Sequence, residues 1–243
     1  MEILNSVKSS KFEYDKWNAK HGYNPNFTPK EKELWWGQEE EYWREGRFGL
    51  VGPHYFALTQ AKIKHATGRI IRPVWRDIDD EIYGGYIYAR DHFHDLFVTK
   101  RREVGLSLIF GGIIPNWVSL LNPGSTSLIT SADKPRLEKL YKDKTRPVYN
   151  NLHPDYRPNI VSTRQTGMLH MGTHDTKTGI TTGLDSQIIT LDTVVTPSSM
   201  EAYRAMSIFL DEVMLHPKAD QVLRSAQASI KDGFVKLGPI VMG

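Results

Sequence analysis

Residues 100–107 are Lys100, Arg101, Arg102, Glu103, Val104, Gly105, Leu106 and Ser107, directly after the apolar LFVT of 96–99. They put a glycine and a hydroxyl at the spacing of a phosphate-binding loop, G-x-x-x-x-G-K-[ST]. In such a loop, backbone N–H groups and a helix N-terminus hold anionic oxygens, and the Ser or Thr hydroxyl binds magnesium. Two positions depart from it. A lysine replaces the first glycine, and Leu106 replaces the lysine. A charge-assisted phosphate contact is worth roughly 1.5–3 kcal/mol, so the missing cation must come from elsewhere. Lys100, Arg101 and Arg102 stand just before the turn, from where a side chain can fold back over phosphates. Taken alone, the stretch also reads as a basic solvated turn after a buried strand.

The segment SIFLDEV (207–213) is an apolar strand ending in two acids. Asp211 is placed to hold magnesium through water, and Glu212 to polarise a water attacking a γ-phosphate. The alternative is a strand end whose acids cap the next turn. Both segments fall at the C-terminal ends of predicted parallel strands, where α/β sheets bind ligands. Upstream, IRPVWRDIDDEIY (71–83) offers Trp75 to stack on a base or sugar. Arg76 and Asp77 could bond the base edge or pair with each other. The bland reading is a buried tryptophan beside a local ion pair.

Other residue types allow rival chemistry. DHFHD (91–95) spaces His92 and His94 two apart, and HMGTHD (170–175) adds His170 and His174. A zinc hydrolase could be assembled from these, although paired histidines in polar segments are more often surface residues. KTRPVY (144–149) and the Thr/Lys-rich 173–182 could touch DNA phosphates, or be solvated loops. A net charge of +3 neither requires nor excludes nucleic acid. The absence of cysteine rules out disulfides and thiolate metal sites and fits a reducing compartment. The N-terminus has no apolar core that could serve as a signal peptide, and no run reaches the ~18 apolar residues of a membrane span.

The elements that must position these residues follow from periodicity. Thr28 is placed to cap a helix over 29–43, with Leu34, Trp35, Tyr42 and Trp43 inward and 38–41 in water. A helix is expected over 54–66, broken by Pro73, and a second over 77–91 leading into a strand at 96–99. Residues 107–121 should be helical, short or irregular because of Gly111, Gly112 and Pro115. A strand at 127–132 precedes an amphipathic helix over 134–149, interrupted at Pro147. Strands are expected at 165–171, 187–192 and 205–213, then a helix over 218–229 and a last strand, FVKLGPIVMG. Alternating strands and helices predict an α/β fold with a mostly parallel central sheet flanked by helices. The ending on an apolar strand suggests a fragment of a longer protein.

Together these residues resemble the N-terminal ATPase domain of the large terminase subunit, the DNA-packaging motor of tailed bacteriophages and related viruses. That family often has a deviant loop, K-x-R-x-x-G-x-S, which residues 100–107 follow at each fixed position. Its adenine motif, an aromatic or glutamine followed by Arg-Asp, is similar to Trp75-Arg76-Asp77. Its strand ending in Asp-Glu matches Phe209-Leu210-Asp211-Glu212, and GLDSQIITL and YRA look like the approach to that strand. A Gly-Thr coupling motif follows in the family, and Gly243 stands where its glycine would. The resemblance covers roughly 50–243, with 1–50 as a variable helical N-terminal segment or lid and 51–243 as the ATPase core.

The resemblance implies a P-loop NTPase of the ASCE type that hydrolyses ATP with Mg²⁺. Loop residues 100–107 would hold the phosphates, Trp75–Asp77 the base, Ser107 and Asp211 the metal, and Glu212 would activate water. The division of labour among Lys100, Arg101 and Arg102 stays open. Implied partners are double-stranded viral DNA, a portal protein, a small terminase subunit and further copies in a ring, in the host cytoplasm. The family's nuclease half is absent, so this chain should not cut DNA. Two other classes compete: a nucleotide-binding scaffold without turnover, which would have no need of Glu212, and a helicase-type motor, which would need a second ATPase core.

Overall fold

The computed structural model describes residues 22–65, 67–99, 105–161 and 167–243. In chain order the strands are β1 (Ile63–Lys64), β2 (Ile70–Ile71), β3 (Leu96–Phe97), β4 (Thr126–Ser131) and β5 (Met168–His174). β6 (Thr181–Thr190), β7 (Ser207–Asp211), β8 (Lys231–Asp232), β9 (Val235–Lys236) and β10 (Ile240–Met242) follow. Six of them form one sheet in the order β3-β10-β7-β4-β6-β5, parallel except for β5, which runs antiparallel to β6 at one edge. β1–β2 and β8–β9 are small antiparallel ribbons. This is the α/β architecture expected from the alternation of elements.

β7 is buried along its whole length, as a central strand covered on both faces must be. Successive side chains of a strand point to opposite faces. Phe209 and Ile129 therefore join the core with Phe110, Trp117, Tyr86 and Trp43, while Ile208, Leu210 and Leu128 join the other with Val222 and Ala226. The Pro29–Glu45 helix belongs to the first core through Trp36 and Trp43. Thr28 caps it, as expected, and does so in a full capping box with Glu31. The inward face is Trp36, Glu39 and Trp43, and the expected Leu34 is exposed. Spacing around Trp36 wins because Trp43 and Tyr156 pack on its ring.

Several element boundaries differ from those expected. The helix after Pro53 is Gly52–Thr59 and stops early, because the chain turns through Gly68 in a left-handed conformation to pair β1 with β2. The Asp77–Asp91 helix is as expected, and β3 is shorter than expected. Residues 106–121 form one helical run despite their glycines, with a π-helical stretch at Ile109–Ile113 between Leu106–Leu108 and Ile114–Leu121. Residues 134–150 likewise continue past Pro147, with a π stretch at Tyr141–Thr145. In both runs the π turn lies just ahead of the proline, where the ladder can spare the proline's missing N–H.

The two π stretches touch. A Cβ on Gly111 would lie 2.6 Å from Leu140 Cδ2, and one on Gly112 2.9 Å from the Lys144 carbonyl oxygen. The Asn116 amide donates to the Gly112 and Thr145 carbonyls at 2.8 and 3.1 Å, and the Thr145 hydroxyl donates to the Gly111 carbonyl. The glycines are there for close approach. Further along, residues 173–182 are the end of the β5–β6 hairpin rather than a free loop. Strand β7 stops at Asp211, and FVKLGPIVMG splits into β9 and β10 around Gly238, whose Cβ would meet the Met206 carbonyl oxygen at 1.9 Å. The Ala219–Ser229 helix matches its expected span to within one residue.

Candidate functional site

The C-terminal edge of the parallel strands brings together Gly105, Ser107, Asp211 and Glu212 from among the residues singled out for phosphate chemistry. Gly105 opens the helical run 106–121 with φ 89°, a left-handed conformation that costs glycine little and other residues more. Two residues on, the Ser107 hydroxyl donates to Asp211 Oδ1 at 3.1 Å, across 104 residues of sequence. Asp211 is the last residue of β7 and is buried. β10 lies between β3 and β7, and its end brings Gly243 beside Leu106 and Phe209.

Leu106 is 0% exposed and packs in the core with Phe209. This explains the departure noted in the sequence. At this position the side chain points into the protein, so no cation here could reach a phosphate. Lys100, Arg101, Arg102, Glu103 and Val104 lie outside the described residues.

Glu212 follows Asp211 with φ 52° and ψ 39°, a left-handed conformation uncommon for a residue with a side chain. Its side chain caps no helix. It forms an ion pair with Arg136 instead, Nη1 to Oε2, and Arg136 also holds Asp133 Oδ2 at 3.0 Å. Asp133 in turn caps the Lys134–Leu140 helix by accepting from the Arg136 N–H at 2.8 Å. Arg136 was not anticipated. Its signal was local: an Asp followed by Lys-Pro, a helix start, set directly after a strand that pairs with β7 in the register Ser131 opposite Asp211.

The WRD segment is arranged by two further acids that sequence reasoning passed over. Arg76 does not pair with Asp77, which is exposed at the helix start. It pairs with the buried Asp79, through Nε to Oδ2 at 3.0 Å and Nη2 to Oδ1. The reason is helical spacing, which puts residue 79 on the same side as the chain entering at 76. Hydrogen bonding to Asp79 raises the Arg76 pKa further. Trp75 Nε1 donates to Asp80 Oδ2 at 3.0 Å. Burial raises the Asp80 carboxyl above its usual range. Asp80 Oδ1 also lies 2.8 Å from Nδ1 of the buried His54, close but not aligned as a hydrogen bond. Burial lowers the His54 pKa to about 4, so its imidazole is neutral. The outer edge of the Arg76 guanidinium faces Gly105, where a Cβ would stand 3.3 Å from Nη2 and 3.7 Å from Nη1.

The hydroxyl and carboxylate of Ser107 and Asp211 are the hard oxygen donors that magnesium takes. Among the described residues no group of three His, Asp or Glu could hold a metal unaided. Three of the four candidate histidines have other polar partners, and His94 lies against the Tyr88 and His92 rings. His92 contacts the Tyr88 carbonyl, His170 the Asp185 carboxylate and His174 the Thr181 hydroxyl. Of KTRPVY, Arg146 is exposed and lines a cleft of about 580 Å³ with Lys134 and Lys142, while Val148 and Tyr149 are core. Among the described residues no helix is long and apolar enough to cross a membrane.

No protein-family model matches the chain, and no curated protein does. Among solved structures it is similar to the large terminase ATPase domain of Thermus phage P74-26, at a TM-score of 0.42 and 11% identity. That match covers 61% of this chain and 57% of the other. An arginine-to-alanine variant of the same domain gives 0.40 and 11%, over 61% and 58%. The chain thus spans under two thirds of the structures it is similar to, and a likeness at this level leaves the activity to be argued from the residues.

Proposed function

We propose that this chain is an ATPase domain that binds ATP with Mg²⁺ and hydrolyses it to drive viral DNA into a procapsid. The observation that carries this reading is the meeting of Ser107 and Asp211 at 3.1 Å at the C-terminal edge of a mostly parallel sheet. A phosphate-loop hydroxyl and a strand-end carboxylate from distant parts of the sequence have little reason to converge there unless they share a ligand. The ordered motif set that resembles the large terminase subunit supplies the rest. In this reading 51–243 form the ATPase core and 1–50 a helical N-terminal segment.

Magnesium, when bound, would neutralise charge on the β- and γ-phosphates. Ser107 and Asp211 hold it. Trp75 would meet the base or sugar, and the phosphate-loop sequence 100–107 would hold the phosphates, with a cation from Lys100, Arg101 or Arg102. Glu212 accepts a hydrogen bond from the attacking water and orients it in line. Double-stranded DNA, a portal protein, a small terminase subunit and further copies of the chain complete the motor. The isolated domain is accordingly a weak ATPase.

The test is ATP binding and hydrolysis by wild type beside Glu212→Gln and Lys100→Ala. The expected result is Mg²⁺-dependent turnover, lowered about 10²- to 10⁴-fold in Glu212→Gln with ATP binding kept. A wild type that binds no ATP overturns the reading. One that binds without turning over, even with DNA and portal, leaves the nucleotide-binding scaffold.

A further inference from the structure

We propose that Arg76 grips the phosphates of the nucleotide, not the edge of its base. This rests on the nucleotide reading above. It concerns a side chain that the WRD pattern alone places at the base.

The geometry is specific about where the guanidinium points. Asp79, buried in the first turn of the Asp77–Asp91 helix, takes Nε and one N–H of Nη2. A carboxylate that binds the fork in this way fixes the plane and direction of the group. An arginine has five N–H donors, and among the described residues Asp79 takes two, leaving the second on Nη2 and both on Nη1. Those two nitrogens are the atoms that face Gly105, 3.3 and 3.7 Å from where its Cβ would stand. Gly105 immediately precedes the helical run carrying Ser107, whose hydroxyl reaches Asp211.

This edge of Arg76 therefore looks at the point where the chain turns into its helix at Gly105. Glycine matters here twice. It supplies the left-handed turn, and it sets no Cβ against the guanidinium. Arg76 is also 43% exposed, so an anion can reach it. The neighbouring Trp75 is held by Asp80 and is half-buried against the core, and in this reading the part of its ring that stays exposed meets the base. The two residues thus divide the ligand between them. Leu106, buried in the core, cannot supply the cation of this turn, and Arg76 supplies one from a separate element.

The experiment measures affinity of the full chain for ATP, ADP and GTP, and competition by inorganic tripolyphosphate, in wild type, Arg76→Gln and Arg76→Lys. Gln can donate to Asp79 but leaves that buried carboxylate without its counter-charge, whereas Lys keeps the charge, so the fold of both variants is checked by thermal melting. The expected result is a loss of about 10- to 100-fold for ATP, ADP and tripolyphosphate alike in Arg76→Gln. The ATP:GTP ratio stays the same, and Arg76→Lys recovers part of the loss. If the ratio collapses while tripolyphosphate competes as before, Arg76 reads the base and the proposal is wrong. Unchanged affinities for all four ligands make Arg76 a structural partner of Asp79 only, which also overturns it. A wild type that binds neither nucleotide nor tripolyphosphate overturns the nucleotide reading itself, an outcome distinct from the other two.

Discussion

Arg136 and Glu212, 76 residues apart in sequence, meet as an ion pair at the C-terminal edge of the sheet. The contact uses one oxygen of Glu212, Oε2, and leaves Oε1 to accept a hydrogen bond from water. Arg136 is itself steadied by Asp133, so the carboxylate is oriented from a helix N-terminus rather than by the short turn it sits on. Arg136→Ala is expected to lower kcat for ATP hydrolysis about 10-fold with little change in KM, and Arg136→Lys to restore part of it. A rise in KM at constant kcat would assign Arg136 to ATP binding instead.

Ser107 and Asp211 give a prediction about the metal. Asp211→Asn keeps a hydrogen-bonding side chain at the end of β7 but removes the charge. The Mg²⁺ concentration for half-maximal ATPase activity should rise at least tenfold, and Ser107→Ala should raise it less, because it removes a neutral donor. Magnesium titrations of activity settle the order. Equal Mg²⁺ dependence in wild type and Asp211→Asn would remove Asp211 from the metal site.

Two buried titratable groups pull the pH dependence of stability in opposite directions. Burial raises Glu39 to about 7, against hydrogen bonds from Tyr55 that lower it, so the folded state holds its proton longer than the unfolded chain does. That contribution is full below about 4.5 and is lost as pH rises through about 7. His54 is the reverse: burial lowers it to about 4, so its contribution is present above about 6.5 and lost as pH falls toward about 4. Each is worth on the order of 3 kcal/mol, and between pH 4.5 and 6.5 they offset one another. Glu39→Gln removes one slope. Its melting temperature should climb from pH 4.5 to 6.5 more steeply than that of wild type, and exceed it at pH 8. Parallel curves for the two proteins would contradict the burial of Glu39 as a titrating group.

The paired glycines predict an order of destabilisation. A methyl on Gly111 meets the end of the Leu140 side chain, which can move, whereas one on Gly112 meets the Lys144 backbone carbonyl, which cannot. Gly112→Ala should therefore cost about 1–3 kcal/mol by overpacking. Gly111→Ala should lie near neutral, since Ala gains about 1 kcal/mol of helix propensity over Gly. Denaturant unfolding of the two variants checks the ranking.

Much of this was legible in the sequence where the signal is local. Thr28 announced the N-cap of its helix, and the apolar SIFLD run announced a buried strand. The α/β class followed from the alternation of such pieces. What was not legible depends on contacts between distant segments. Leu106 reads as a missing lysine until its burial against Phe209 is known. Arg76 beside Asp77 looks like a neighbouring pair, but helical geometry hands it to Asp79. Gly111 and Gly112 read as helix breakers because the partner that needs their bareness comes some thirty residues later. Arg136 stands at a legible helix start, but its pairing with Glu212 depends on the register that sets Ser131 opposite Asp211.

The contact between the two π stretches has a mechanical consequence. Run 106–121 carries Ser107 at its start and run 134–150 carries Arg136 at its own, and the two are clasped at mid-length by Gly111, Gly112, Asn116 and Thr145. Asp211 and Glu212 belong to the sheet. The helical pair thus ties the partner of Asp211 to the partner of Glu212 through one packed contact, so the positions of the two adjacent acids' partners are set together rather than one by one.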